Sequence, residues 1–396
     1  MMEALRAAYA KTSASRLVAI AWIGGLLGVL IHSVLLGGFI VDNHGQPMPG
    51  EFLALWSAGQ MAAAGHGVDA YDARLLHQLQ IADTQTPFGG YFMWLFPPPF
   101  LLVAAVLAEL PFVIAYVGWA LVTLVGYAFC TARLFRNRAA AIAYGASPAA
   151  FVTFIVAQNG LLTAALFAGV LLTLQRRPVL SGLLLAALVV KPQFGLLFPV
   201  ALLAAGQWRT VAAATVATSI WLLACLAFEP SLISAFLHAL SMARSELLTQ
   251  GHQGWYKLQS LYGVLRIAGL GDGLSSAVTA ILAMALTGVV IAAWHSRLPF
   301  SLKAAILVVC SLAISPYSYV FDFPLLTVAL GFLWRDAAFD GFERRAILVS
   351  YLLVTAAIVS ATPLALLGLC AIALIVWRRT AREWGKSPIP QAGTIG

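Results

Sequence analysis

Few side chains in this chain carry charge. Asp, Glu, Lys and Arg make up 10% of its 396 residues, against about 25% in an ordinary soluble domain, whereas 61% are hydrophobic. A water-soluble fold has no means of hiding that much apolar surface, and the charges cluster between long apolar runs, as they do when they must stay at the bilayer boundaries. The expected solvent is therefore lipid.

Other absences narrow the chemistry. The four cysteines, Cys130, Cys225, Cys310 and Cys370, lie inside apolar runs with no C-x-x-C spacing, so neither a disulfide framework nor a thiolate metal site is indicated. No D-x-D occurs in the expected outer loops, no H-E-x-x-H occurs anywhere, and Walker and Rossmann glycine patterns are missing. No metal and no cofactor is expected. The formal net charge is +8, but the basic residues sit in short groups at the ends of apolar runs instead of forming a stripe or tail, which argues against a nucleic-acid partner.

The apolar runs read as twelve candidate spans: 17–40, 112–132, 139–157, 160–175, 178–190, 192–206, 210–228, 275–294, 299–314, 319–334, 346–361 and 363–377. The run 17–40 follows Arg6, Lys11 and Arg16 but is too long for a signal peptide, so an uncleaved first span is expected. If the short segment 96–110 dips in without crossing, every Arg and Lys cluster at a span end falls on one side, which by the positive-inside bias is cytoplasmic. The expectation is a single integral membrane domain, 1–396, in a bacterial inner membrane with both termini cytoplasmic. Two long loops then face the periplasm, 41–95 and 229–272. Within the first, 51–64 reads as an amphipathic helix lying at the interface, and a second short helix starts after Asp72 as N-cap and runs to Ala82.

Short motifs recur in order from about 50 to 325: E-F-x-x-x-W-x-A-G at Glu51–Gly59, A-Y-D at Ala70–Asp72, W-L-F-P-P-P-F at Trp94–Phe100, Q-N-G-L-L-T-A-A at Gln158–Ala165, K-P-Q-F-G-L-L at Lys191–Leu197, G-W-Y-K-L-Q-S at Gly254–Ser260 and S-P-Y-S-Y-V-F-D at Ser315–Asp322. In these the chain resembles glycosyltransferase family 87, polyprenyl-phosphate-mannose-dependent mannosyltransferases of the bacterial cell envelope. The resemblance implies an all-α, GT-C-type bundle of about twelve transmembrane helices and a lipid-linked donor whose commonest sugar is mannose. It also implies an acidic base in the first outer loop. Two departures from the family pattern stand out: Glu51 where Asp is usual, and Ala157 where Gly is usual.

Under that resemblance the expected reaction moves a sugar from a polyprenyl-phosphate donor to a hydroxyl of a lipid or glycan acceptor at the periplasmic face, with inversion. The partners are then donor, acceptor and membrane lipids. Glu51 is the expected base, with Asp42 as the alternative; read without the motif, Glu51 is a first-turn carboxylate favouring the helix dipole. Lys191 sits deep in an apolar stretch, where an unpaired ammonium costs roughly 2.5–3.5 kcal/mol, so it needs an anion such as the donor phosphate, unless it snorkels to an interface. Pro192 should break the helix there, and Gln193 adds a donor on the same turn. Gln158 and Asn159 bracket sugar hydroxyls or else pair with helix ends. Asp322, beside Tyr319, either binds sugar or caps a helix, and Lys257 and Gln259 in the second loop either contact substrate or are merely solvated. The competing reading is a transporter or flippase for a lipid-linked sugar, which should show internal repeats and mid-membrane ionisable groups in both halves.

Overall fold

The computed structural model describes residues 16–18, 20–28, 31, 50–90, 92–252, 254–360 and 362–385, and among these every regular element is helical. The expected all-α class is therefore observed. The first helix, α1, takes in the described residues of Arg16–Gly28 and is fastened by the Trp22 indole N–H, which donates to the Ala146 carbonyl at 3.1 Å. There follow α2 (Gly50–Ala63), α3 (Ala73–Thr84), α4 (Pro98–Ala108), α5 (Phe112–Phe135), α6 (Arg138–Gly145), α7 (Pro148–Ile155), α8 (Gly160–Thr173) and α9 (Pro178–Ala187). The second half holds α10 (Pro192–Gly195), α11 (Leu197–Ala204), α12 (Trp208–Phe228), α13 (Leu232–Ala243), α14 (Leu261–Ile267), α15 (Asp272–His295), α16 (Phe300–Ala313), α17 (Leu325–Asp336), α18 (Gly341–Val359) and α19 (Leu364–Gly385).

Four helices are long and apolar enough to cross a membrane by length and composition: Phe112–Phe135, Trp208–Phe228, Asp272–His295 and Leu364–Glu383. The pair α6 and α7, bent by 72°, makes a fifth if it is one broken span. The expected count of twelve is not reached on these criteria because most of the apolar helices are shorter than 18 residues, and Pro148 splits the expected span 139–157. Pro148, Pro178 and Pro192 each begin a new helix in its first turn, where a missing N–H costs nothing. The resulting pieces are short: α8, with 14 residues, is about 21 Å long, against about 30 Å of hydrocarbon.

The short apolar helices α8, α16 and α17 form the buried centre, with nearly every residue of α16 from Leu302 to Leu312 and of α17 from Leu325 to Leu333 inside. The long helices stand outside them and turn apolar side chains outward: Ile220 is 62% exposed and Leu223 64%. Apolar inside and apolar outside is the arrangement of a protein dissolved in lipid.

The first loop departs from expectation. Helix α2 does not lie with one face free at an interface, because Phe52, Leu53, Ala54, Leu55, Ser57, Ala58 and Ala62 are all buried. It packs most closely on α4, where Gly59 lets the backbones approach; a Cβ there would stand 2.2 Å from the Ala104 carbonyl oxygen. Ser57 and Gln60 donate to the Asp83 carboxylate at 2.8 and 3.1 Å, joining α2 to α3. The Asp72 cap forms as expected, accepting from the N–H groups of Arg74 and Leu75. Segment 96–110 is the 11-residue α4, about 16 Å long, too short to cross.

At the other end, Arg379 donates through Nε and Nη2 to the Glu343 carboxylate at 2.8 and 2.7 Å and through Nη1 to the Leu333 carbonyl at 2.6 Å. The pair is nearly dry and ties α17, α18 and α19 together. Arg379→Ala should lower stability by about 3–5 kcal/mol by stranding a buried carboxylate, and Arg379→Met with Glu343→Leu should recover most of it. Thermal melts of both variants in one detergent check this.

Candidate active site

The site begins at a forced break. After α9 and a single 3-10 turn, Leu188–Val190, the chain meets Pro192, whose ring excludes the preceding residue from helical geometry. Lys191 accordingly takes φ −138° and ψ 77°, and its side chain turns into the protein, leaving the residue 5% exposed. Its ammonium donates to Asp322 Oδ1 at 2.6 Å and to Gln158 Oε1 at 2.8 Å. The second Asp322 oxygen accepts the Tyr319 backbone N–H at 2.9 Å. Lys191 thus has its anion, and it is the chain's own carboxylate rather than a ligand's. Asp322, 1% exposed and engaged through both oxygens, pairs the lysine and caps the turn instead of facing a sugar.

Gln158 reaches this point by an unusual backbone path. Ala157 has φ +50°, the left-handed region in which a Cβ costs about 1–2 kcal/mol. That is the physical reason a glycine suits the position and alanine departs from the pattern. The turn aims the Gln158 side chain so that its oxygen accepts from Lys191 and from the Gly160 N–H at 3.1 Å, within electrostatic reach of Glu51. Gly160 itself is pressed against the loop carrying Asp322; a Cβ there would lie 1.7 Å from the Phe321 carbonyl oxygen. Asn159 is turned the other way, accepting the Trp119 indole N–H at 3.2 Å in the bundle interior.

Glu51 stands in the first turn of α2. Its side chain keeps solvent-accessible surface, yet protein atoms crowd around it. Burial pushes its carboxyl above the ordinary range; Lys191, Gln158 and Lys257 pull it down, and Asp322 pushes it up. Tyr319 belongs to the same group: its backbone N–H donates to Asp322 and its phenol lies within electrostatic reach of Glu51 and Asp322. Glu51, Gln158, Lys191, Asp322 and Tyr319, from four distant stretches of chain, therefore share one electrostatic neighbourhood.

The remaining expected residues divide. Lys257 is exposed on a 3-10 turn, Trp255–Lys257, within electrostatic reach of Glu51, and no carboxylate is paired with it among the described residues. Gln259 is buried and structural: its amide N–H donates to the Tyr256 carbonyl and its oxygen accepts the Ala365 N–H, both at 3.0 Å, so it fastens the second loop to the start of α19. Gln193 is half-buried beyond Pro192 and makes no side-chain hydrogen bond among the described residues. Asp42 lies outside the described residues. Trp119 escaped the sequence reading, because an aromatic within an apolar run carries no signal of its partner. Among the described residues no three His, Cys, Asp or Glu side chains are grouped to hold a metal ion.

Two backbone substitutions test this geometry. Ala157→Gly should relieve the left-handed residue and raise stability by up to about 1 kcal/mol, read as a higher melting midpoint. Gly160→Ala should drive Gln158 away from the Asp322 loop, giving misfolded protein or, where it folds, a large loss of transfer activity.

Comparison with known proteins bears on the family. A model of glycosyltransferase family 87 matches residues 94–316, more than half of the chain, taking in Gln158, Lys191 and Lys257 and stopping short of Glu51 on one side and Asp322 on the other. No curated protein and no solved structure matches the chain. A match of that extent, on a chain of apolar helices, identifies it as a member of glycosyltransferase family 87 and hence a membrane glycosyltransferase.

Proposed function

We propose that the chain transfers a sugar, mannose first among the candidates, from a polyprenyl-phosphate donor to a hydroxyl of a lipid or glycan acceptor at the periplasmic face of the inner membrane. Glu51 is the base. The observation that carries this reading is a carboxylate with a raised proton affinity, close to an amide that is itself fixed by a buried ion pair. A general base works best when its pKa approaches the working pH, and burial moves Glu51 in that direction.

In the proposed step the acceptor oxygen loses its proton to Glu51 and bonds the anomeric carbon. The bond from that carbon to the phosphate oxygen breaks, and its electron pair leaves with the polyprenyl phosphate. A single displacement inverts the anomeric centre. The negative charge that develops on the leaving phosphate needs a cation beside it. Lys257 suits this better than Lys191, because Lys191 is already neutralised by Asp322 at 2.6 Å. Lys191 and Gln158 are positioning residues: the first fixes the second, and the second lies close to the base. Gln193, with its amide uncommitted, is available to a sugar hydroxyl. The GT-C-type architecture, twelve spans and cytoplasmic termini belong to the same proposal, supported by the apolar helices and the grouping of basic residues at their ends.

Purified protein with labelled polyprenyl-phosphate-mannose tests the base. Glu51→Gln should lower transfer by about 10²–10⁴-fold without abolishing donor binding; full activity would remove Glu51 from the role. The pH profile gives a second check. Glu51 must be deprotonated to act, and its raised pKa places the acid limb of kcat/KM above that of an ordinary carboxylate. Lys257→Ala removes a cation that favours the charged form, so the limb should move to still higher pH.

A further inference from the structure

Three helices of the central bundle run away from the candidate site toward one far end. Helix α5 starts at Phe112, whose ring packs 5.5 Å from Phe52 of α2; α8 starts at Gly160; and α17 starts just beyond Asp322. Each finishes at an arginine: Arg136 directly after α5, Arg176 in the turn after α8, and Arg335 in the last turn of α17. The Phe135 and Trp334 rings lie 6.2 Å apart, so the residues that follow them, Arg136 and Arg335, leave the bundle at neighbouring points. Both Arg136 and Arg176 lie within electrostatic reach of Arg335.

All three are exposed, and among the described residues none of their guanidinium groups makes a hydrogen bond or an ion pair. The acids at this end are occupied elsewhere. Asp336, whose charge also reaches Arg335, accepts from the Ser301 hydroxyl; Asp340 faces Arg378 and Arg382; Glu343 is held by Arg379. Three like charges repel one another, Asp336 offsets only part of that repulsion, and an anion between them removes the rest.

The neighbouring surface says which anion. On α5, Val122, Val125 and Phe129 are 66%, 66% and 58% exposed, and their spacing puts them on one face with Arg133 and Arg136. The Arg133 guanidinium lies 4.8 Å over the Phe129 ring, at the border between the apolar stripe and the basic group. An apolar stripe leading into a cluster of guanidinium groups fits a phosphate that carries acyl chains, not a soluble one. We propose that Arg136, Arg176 and Arg335, with Arg133 at the edge, form a binding site for the phosphate of an anionic phospholipid at the end of the bundle opposite the candidate active site. The site does not depend on the identity of the sugar donor.

The test uses the full chain in nanodiscs of phosphatidylcholine mixed with phosphatidylglycerol, with lipids retained after detergent extraction counted by native mass spectrometry. Wild-type protein should retain phosphatidylglycerol preferentially. Replacing arginines 136, 176 and 335 by glutamine should cut that retention by about five-fold for each residue changed. A charge-matched triple at Arg74, Arg209 and Arg382 should leave it unchanged; equal loss in the two triples would show general charge attraction and overturn the site. Displacement of the lipid by inorganic phosphate as readily as by added phosphatidylglycerol would also overturn it, in favour of a soluble ligand. If the site triple fails to give a monodisperse protein, Arg176→Gln alone, in an exposed turn, carries the same test. Unchanged retention in that variant would refute the proposal.

Discussion

The ion pair between Lys191 and Asp322 is the constraint on which the rest of the site depends. An ammonium in a lipid-embedded bundle must be neutralised, and a carboxylate 2.6 Å away does so only if two loops far apart in sequence are brought together. The chain meets this requirement with a proline that breaks the helix at Lys191, a glycine that lets the Gln158 loop touch the Asp322 loop, and a left-handed alanine that aims the Gln158 amide. Removing either partner would leave a charge stranded in the interior. The pair therefore acts on folding, and on Glu51 both through the order it imposes and through its two opposed charges.

From that pair the hierarchy runs outward. Gln158 has one oxygen for Lys191 and the Gly160 N–H, and its side chain lies within electrostatic reach of the Glu51 carboxylate. Glu51 reaches the same place because α2 is buried against α4 instead of resting on a membrane surface, so the first turn of α2 is rigidly held. Two opposing influences then set its proton affinity: exclusion of water raises it, and the nearby cations lower it. A base tuned in this way needs a firm frame, and the frame is the small, dry core of α8, α16 and α17.

The same central helices give the molecule two ends of opposite character. At one end acids and amides are gathered around a single buried lysine; at the other, arginines outnumber the carboxylates available to them. That polarity explains how a chain with so few charges uses most of them at helix ends.

Much of this was legible in the sequence for definite reasons. Membrane residence follows from composition, because no arrangement of this many apolar residues satisfies water. The break at Lys191, the cap at Asp72 and the family are likewise local, fixed by a proline ring, a short carboxylate and ordered motifs. Tertiary structure decided what local pattern does not encode: that the partner of Lys191 is Asp322, 131 residues away, that Gln259 holds α19 instead of a substrate, and that α2 is buried. The expected span 139–157 was also read as continuous, although the chain bends by 72° where Pro148 starts a new helix. Composition and backbone chemistry act within a few residues and so can be read along the chain, whereas the pairing of buried polar groups depends on which loops the packing of helices brings face to face.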